Sequence, residues 1–361
     1  MFTPPSSVLK SSFTKGLLQW NQEQNTRQMP WKGEKDPYRI WISEIILQQT
    51  RVEQGLSYYN NFIRTFPTIR HLAKAPDEKV FKCWEGLGYY SRCRNLLATA
   101  RFIVNERNGH FPDTYEDILQ LKGVGPYTAA AISSFAFQLP HAVVDGNVFR
   151  VLSRYFGIDI ATDSTAGKKL FTTLAQELLD PRQPGPYNQA IMDFGAVICK
   201  PAAPLCTGCV FRKKCVALKM QQVDALPVKQ KKTRVRERWL NYIVVVCNQE
   251  VAIQQRTAKD IWQDLYEFPL IETKKAVNKS ALMKSATWKK WLGDTVLIRQ
   301  ADPVKERQLL SHQLVHGYFI LLQTDRKPRA MAGWQWVKKN KLGTFSFPGL
   351  INRYLSDGFS I

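Results

Sequence analysis

Up to about residue 220, apolar side chains recur three or four positions apart, as in residues 77–84, 115–121 and 167–179, and β-branched runs are scarce. After residue 238 the texture reverses. The stretch "WLNYIVVVCNQEVAIQQRT" reads as two strands around an Asn-Gln-Glu turn, and "HGYFILLQT" and "GWQWV" read as further strands. A run of helices followed by a run of strands builds two layered units rather than one interleaved sheet. With 361 residues and 44% hydrophobic content, there is enough apolar material for two cores. The expectation is a mainly α N-terminal domain over residues 1–225, a linker over 226–238 and an α+β domain over 239–361.

The linker is strongly basic: residues 229–238 hold six basic side chains against the single acid Glu237. Such a run is either a solvated tether or a strap that neutralises phosphates as it crosses a polyanion. The whole chain favours a polyanion, because its formal net charge is +21 and its pI is about 9.7. Lipid headgroups or acidic proteins also attract such a surface, but no run of twenty apolar residues spans a membrane. The first twenty residues lack an unbroken apolar core and a small-residue cleavage site, so a cytoplasmic, reducing location is expected, on the nucleoid if the cell is bacterial.

In a reducing compartment cysteines read as metal ligands before disulfides. Of seven cysteines, four lie within seventeen residues: Cys199, Cys206, Cys209 and Cys215, a C-x6-C-x2-C-x5-C spacing. Zinc commonly takes two C-x2-C pairs, and only one such pair is present here. Cys83, Cys93 and Cys247 read as ordinary buried thiols.

Two carboxylates and one hairpin stand out. In "LKGVGPYTAAAI", Gly123 and Gly125 permit positive φ and Pro126 suits the first turn of a helix. The backbone N–H groups of such a helix-hairpin-helix suit a phosphate beside Lys122, although a plain helix connection has the same composition. In "HAVVDGNVFRVLSRYFG", Asp145 reads as an N-cap, a position whose dipole also favours an ionised acid. In "WISEIILQQT", Glu44 shares a helical face with Ile40, Trp41, Leu47 and Gln48, where desolvation would keep it protonated. The plain alternative is an exposed glutamate at the edge of a packed face.

The hairpin, "VVDGNVFRV" and the four cysteines together resemble the helix-hairpin-helix DNA glycosylase superfamily. The segments "RQMPWKGEKDPYRIWISEIILQQTRV" (27–52) and "GLGYYSRCRNL" (86–96) make the chain similar to its adenine DNA glycosylase (MutY) family. That resemblance implies a mainly α glycosylase domain with a 4Fe-4S cluster loop, followed by an α+β Nudix-like domain. The four cysteines would hold the cluster, which has no open corner for hydrolysis and therefore organises structure.

The resemblance also implies roles. Glu44 would protonate N7 of a flipped adenine, Asp145 would stabilise the oxocarbenium-like sugar, and Asn147 would order the site. Tyr127 stands where endonuclease III enzymes carry the lysine that forms a Schiff base, so base removal without strand scission is expected. Arg27, Trp31, Lys32 and Gln189 would surround the adenine, with Lys32 where arginine is more familiar and without its bidentate geometry. Gln49, Thr50 and an intercalating Tyr89 would brace the opened duplex, with the backbone at Leu87 and Gly88 close to the strand and Gly123 and Gly125 on phosphate.

Residues 239–361 lack the acidic magnesium-binding helix of active Nudix hydrolases. In "QLLSHQLVH", Ser311 and His312 would read the oxidised guanine, with Leu310 in place of the usual phenylalanine. The implied partner is double-stranded DNA carrying adenine opposite 8-oxoguanine or guanine, bound by a monomer. An endonuclease III-like lyase is the enzymatic rival, disfavoured by Tyr127. A non-catalytic iron-sulfur DNA-binding or redox-sensing protein is the other, and it would need no pairing of Glu44 with Asp145.

Overall fold

The structure is a computed structural model that describes residues 6–230, 235–293, 295–331 and 333–357. The chain forms two compact units. One comprises Met1–Lys74 and Arg94–Lys231; the other joins the short stretch Ala75–Cys93 to Lys232–Ile361.

The first unit is helical, and local chemistry sets where its helices start. Asp36 caps Pro37–Leu47 by accepting from the Tyr38 N–H, with Pro37 at the first turn. Ser164 caps Thr165–Leu178, and Asp145 caps Gly146–Phe156. The expected helix over 115–121 is shorter, Tyr115–Leu119, because the chain turns at Leu121 into the hairpin.

Much of the core is aromatic. Phe13 of Ser7–Glu23 lies 4.9 Å from Phe211, which in turn lies 5.2 Å from Phe194 and 5.1 Å from Tyr155. Phe211 sits between Cys209 and Cys215, so the cysteine loop is anchored by a ring buried among helices. Truncating such a ring costs roughly 3–5 kcal/mol, which makes the loop's position a property of the core.

The second unit is built on an eight-stranded sheet: β1 Arg236–Cys247, β2 Glu250–Gln255, β3 Tyr266–Glu267, β4 Leu270–Thr273, β5 Leu297–Gln300, β6 Val304–Leu309, β7 Gln313–Thr324 and β8 Gln335–Lys338. Its main path runs β3-β2-β1-β7-β5. The expected turn between the first two strands is present, with Asn248 and Gln249 both at positive φ. Long strands β1 and β7 pair in parallel from Arg236↔Gln313 to Val246↔Gln323.

This pairing corrects the reading of residues 229–238 as a tether. Arg236 begins β1, and its N–H donates to the His312 carbonyl. Arg238 is buried, and its guanidinium is bound by Asp260 at 2.7 Å and Glu272 at 2.8 Å. A buried guanidinium needs such partners and is not available to phosphate. Residues 231–234 of that basic run lie outside the described residues.

Candidate active site

Glu44 lies within Pro37–Leu47, and the helix is enclosed more completely than one apolar stripe requires: Tyr38 and residues 40–46 are all buried. Glu44 itself is 6% exposed. Burial pushes its carboxyl from 4.5 to about 7; the Tyr127 hydroxyl opposes the shift by hydrogen bonding, and the charge of Asp145 adds to it. Glu44 opens onto a cavity of about 230 Å3 whose wall includes Trp31, Lys32, Ser43, Phe135 and Gln189. That is below the ~300–1,000 Å3 of drug-sized sites and suits a single base.

Pro126–Phe137 carries Tyr127 to this acid, and the Gln48 amide donates to the Thr128 hydroxyl at 3.3 Å, tying the two helices together. The Tyr127 hydroxyl also contacts the Met192 sulfur at 3.4 Å. Burial first, then the negative charges of Glu44 and Asp145, hold the Tyr127 phenol well above its ordinary range, so it stays neutral.

Asp145 caps its helix with both oxygens occupied: Oδ1 accepts from the Val148 N–H at 2.8 Å and Oδ2 from the Asn147 amide at 2.7 Å. Burial raises its carboxyl, contrary to the simple expectation from the helix dipole, while the N–H groups of Val148 and Asn147, the Asn147 amide and the Arg150 charge lower it. Glu44 has only the Tyr127 hydroxyl acting in that lowering sense. Burial thus raises both carboxyls, and Asp145 has more donors and a cation acting against that rise than Glu44 has. Asn147 in turn accepts from Arg150 at 2.8 Å, and Arg150 donates to the Cys199 carbonyl at 2.7 Å, so hydrogen bonds run from the Asp145 carboxyl to the start of the cysteine loop.

The sequence reading missed Asp193. This residue is 0% exposed, and its carboxylate accepts from Arg27 at 2.8 Å, Gln189 at 3.0 Å and Asn25 at 2.9 Å, with Lys32 at 3.3 Å. Arg27, Lys32 and Gln189 are thus aligned by one buried charge. The signal was present, because Asp193 follows Gln189 by four positions on the same helix, Pro184–Val197.

The hairpin divides its glycines differently from the expectation. Gly123 has φ +82 and so close an approach to Asn95 that a Cβ would stand 2.7 Å from it. Gly125 has φ −103 and caps Pro126–Phe137, so it uses no left-handed freedom. Gln49 and Thr50 follow the Glu44 helix; Gln49 is exposed at φ +57 and Thr50 half-buried.

In the second unit, Gly86, Gly88 and Tyr89 all take positive φ in a tight turn. Tyr89 is 41% exposed, whereas the Leu87 side chain is buried, leaving only its backbone for an outside partner. Ser311 and His312 are exposed in the turn between β6 and β7, with the serine hydroxyl 3.0 Å from His312 Nδ1.

Cys199, Cys206, Cys209 and Cys215 lie in one loop region, where the thiols act on one another electrostatically. The Arg154 guanidinium approaches Cys199 Sγ at 3.6 Å and the Phe211 N–H donates to Cys209 Sγ at 3.4 Å, donors suited to thiolate sulfur. Among the described residues, no three His, Cys, Asp or Glu side chains are gathered to hold one metal ion. Of the other thiols, Cys93 and Cys247 are buried as expected, but Cys83 is only half-buried. No described helix is long and apolar enough to cross a membrane.

Comparison with known proteins agrees with this geometry. A family model described as HhH-GPD superfamily base excision DNA repair protein matches residues 42–177, and a NUDIX domain model matches residues 241–357. The adenine DNA glycosylase of Buchnera aphidicola subsp. Schizaphis graminum is 37% identical over 264 residues, covering 73% of this chain and 76% of the relative. That of Mus musculus is 42% identical over 229 residues, covering 60% and 44%. Among solved structures, a thermostable thymine-DNA glycosylase is 31% identical with a TM-score of 0.55, covering 59% of this chain and 98% of its own. A non-covalent endonuclease III-DNA complex, 20% identical at a TM-score of 0.51 over 61% of this chain and 99% of its own, shares the fold. With the helical unit, the hairpin and the Nudix domain in place, the chain is a DNA glycosylase and belongs to the adenine DNA glycosylase family.

Proposed function

We propose that this enzyme excises adenine from adenine:8-oxoguanine and adenine:guanine mispairs in double-stranded DNA, leaving an abasic site. The observation that carries the reading is Glu44: a buried carboxyl raised to about 7, facing a base-sized cavity and adjoining Tyr127 and Asp145.

Glu44 delivers its proton to the purine, so the leaving base departs without full negative charge. Asp145, held by its cap hydrogen bonds, faces the cationic sugar and stabilises it, electrostatically or as a transient adduct, until water adds its hydroxyl to C1′, gives up a proton and leaves the Asp145 carboxylate free again. Gln189 directs its amide NH2 at Asp193 and leaves its carbonyl oxygen as an acceptor, which suits the exocyclic amine of adenine and repels the O6 of guanine. Tyr127 cannot form an imine, so the reaction ends at base removal.

The four cysteines fit a 4Fe-4S cluster in their donor chemistry and in the Arg154 and Phe211 groups directed at their sulfurs. Four thiolates that each take a separate iron corner also span a wider cage than four ligands of one zinc ion. Bound there, the cluster would supply structural organisation. Iron and acid-labile sulfide, without stoichiometric zinc, are expected in the purified chain; zinc at one equivalent would replace this assignment.

Duplexes containing adenine opposite 8-oxoguanine, guanine or thymine test the rest. Free adenine should appear fastest from the 8-oxoguanine pair, with scission only after alkali, and Ser311→Ala combined with a His312 change should narrow the preference over guanine. Strand cleavage with strong borohydride trapping of a DNA adduct would overturn the monofunctional chemistry. An unchanged preference would remove Ser311 and His312 from lesion reading.

A further inference from the structure

The turn that presents Tyr89 and the hairpin that presents Ser311 and His312 are far apart in sequence, yet one short helix touches the supports of both. That helix is Gly349–Asp357, near the C-terminus.

On one side it holds the Tyr89 turn through Glu85, the residue that ends the Asp77–Trp84 helix. Glu85 Oε1 accepts from the Asn352 amide and from the Phe347 N–H, each at 2.9 Å. Lys82, paired with Glu85 at 2.5 Å, donates to the Phe345 carbonyl at 3.2 Å. From Glu85 onward the turn is stiff. The Trp84 indole donates to the Gly88 carbonyl at 3.1 Å, the Gly86 N–H donates to the Tyr90 hydroxyl at 3.2 Å, and the Arg92 guanidinium lies 5.4 Å from both the Trp84 and Tyr89 rings. A displacement of Glu85 therefore carries Tyr89 with it.

On its other side the same helix holds the strand that feeds the 310–312 turn. Arg353, next to Asn352, pairs with Glu306 at 3.2 Å and donates to the Arg307 carbonyl at 2.9 Å, both in β6. The exposed ion pair alone is weak, but the backbone bond fixes the helix against the strand. Gly317 of β7 permits the close approach: a Cβ there would stand 2.8 Å from Leu350. Phe347, whose N–H holds Glu85, is itself buried against Phe268.

We propose that Gly349–Asp357 is a mechanical link, through Glu85–Asn352 and Arg353–Arg307, by which the lesion-reading hairpin sets the position of the wedge residue Tyr89. Glu85 and Asn352 are then positioning residues that determine specificity without contacting DNA. This inference rests on the 8-oxoguanine reading above.

Single-turnover adenine release from the 8-oxoguanine and guanine pairs tests it in the full-length holoenzyme. Glu85→Ala and Asn352→Ala should each lower the ratio of the two rates about fivefold or more, the scale of a typical coupling between sites. Glu85→Gln, whose amide oxygen can accept the same two hydrogen bonds, should restore most of the ratio. In a Glu85→Ala background, Ser311→Ala should have little further effect on it. Equal slowing on both substrates, or an unaltered ratio in a Glu85→Ala protein with wild-type melting temperature, overturns the link. A wild-type enzyme with no preference overturns the 8-oxoguanine reading instead, and the link falls with it.

Discussion

Glu44→Gln should slow adenine release about 10²- to 10⁴-fold while leaving duplex affinity near that of the wild type. Glutamine matches the carboxyl in size and can hydrogen-bond Tyr127, so the loss reports the missing proton. In the wild type the active form is protonated, and with the carboxyl raised to about 7 it persists at neutral pH. Activity should therefore fall as pH rises through about 7, and this limb should vanish in Glu44→Gln. Folding stability follows the same sign: the contribution of a carboxyl raised from 4.5 is complete below about 4.5 and is lost by about 7. The glutamine variant should consequently melt higher than wild type at pH 8 and nearly alike at pH 4.5. Retained base release by Glu44→Gln, measured under single-turnover conditions, would exclude Glu44 as the acid.

Asp145→Asn should cost about 10²- to 10³-fold in the same assay, the scale of removing one electrostatic partner of a developing charge. Asparagine is also a good N-cap, so Gly146–Phe156 should keep its start through the Val148 N–H, while the Asn147 amide loses its acceptor and the melting temperature falls slightly. What disappears from the reaction is the negative charge facing the sugar, together with the acceptor of the Asn147 amide. Near-normal excision by a folded Asp145→Asn protein would mean that the cation is stabilised elsewhere. The Glu44→Gln and Asp145→Asn losses should combine less than multiplicatively, because the two groups act on one bond.

The division into a helical unit and a sheet unit was legible because period and β-branching change abruptly along the chain. The burial of Glu44 and the capping position of Asp145 were legible because each sits in a short local pattern. What the sequence concealed depends on contacts made at long range. Arg238 looked like one charge in a basic run, and only the parallel pairing of β1 with β7 turns it inward to Asp260 and Glu272. Asp193 takes its partners from one stretch more than 160 positions earlier in the chain, which delivers Asn25, Arg27 and Lys32 together to it. Gly125 looked like the second left-handed glycine, but the proline after it favours extended backbone before the helix. The position of Glu85 gave no sign that its partners lie at Phe347 and Asn352.

Because Ala75–Cys93 is grouped with residues that follow Lys231, the order of synthesis matters. Glu85 leaves the ribosome 262 residues before the Phe347 amide it will bind. At roughly 5–20 residues per second, that is a wait on the order of 10–50 s. During it Lys82 and Glu85 are still without the Phe345, Phe347 and Asn352 groups that they bind in the finished fold. A chain ended after residue 230 would leave Lys82 and Glu85 without those partners permanently, so truncation should harm the turn at Gly86–Tyr89 even though every residue of it is still encoded.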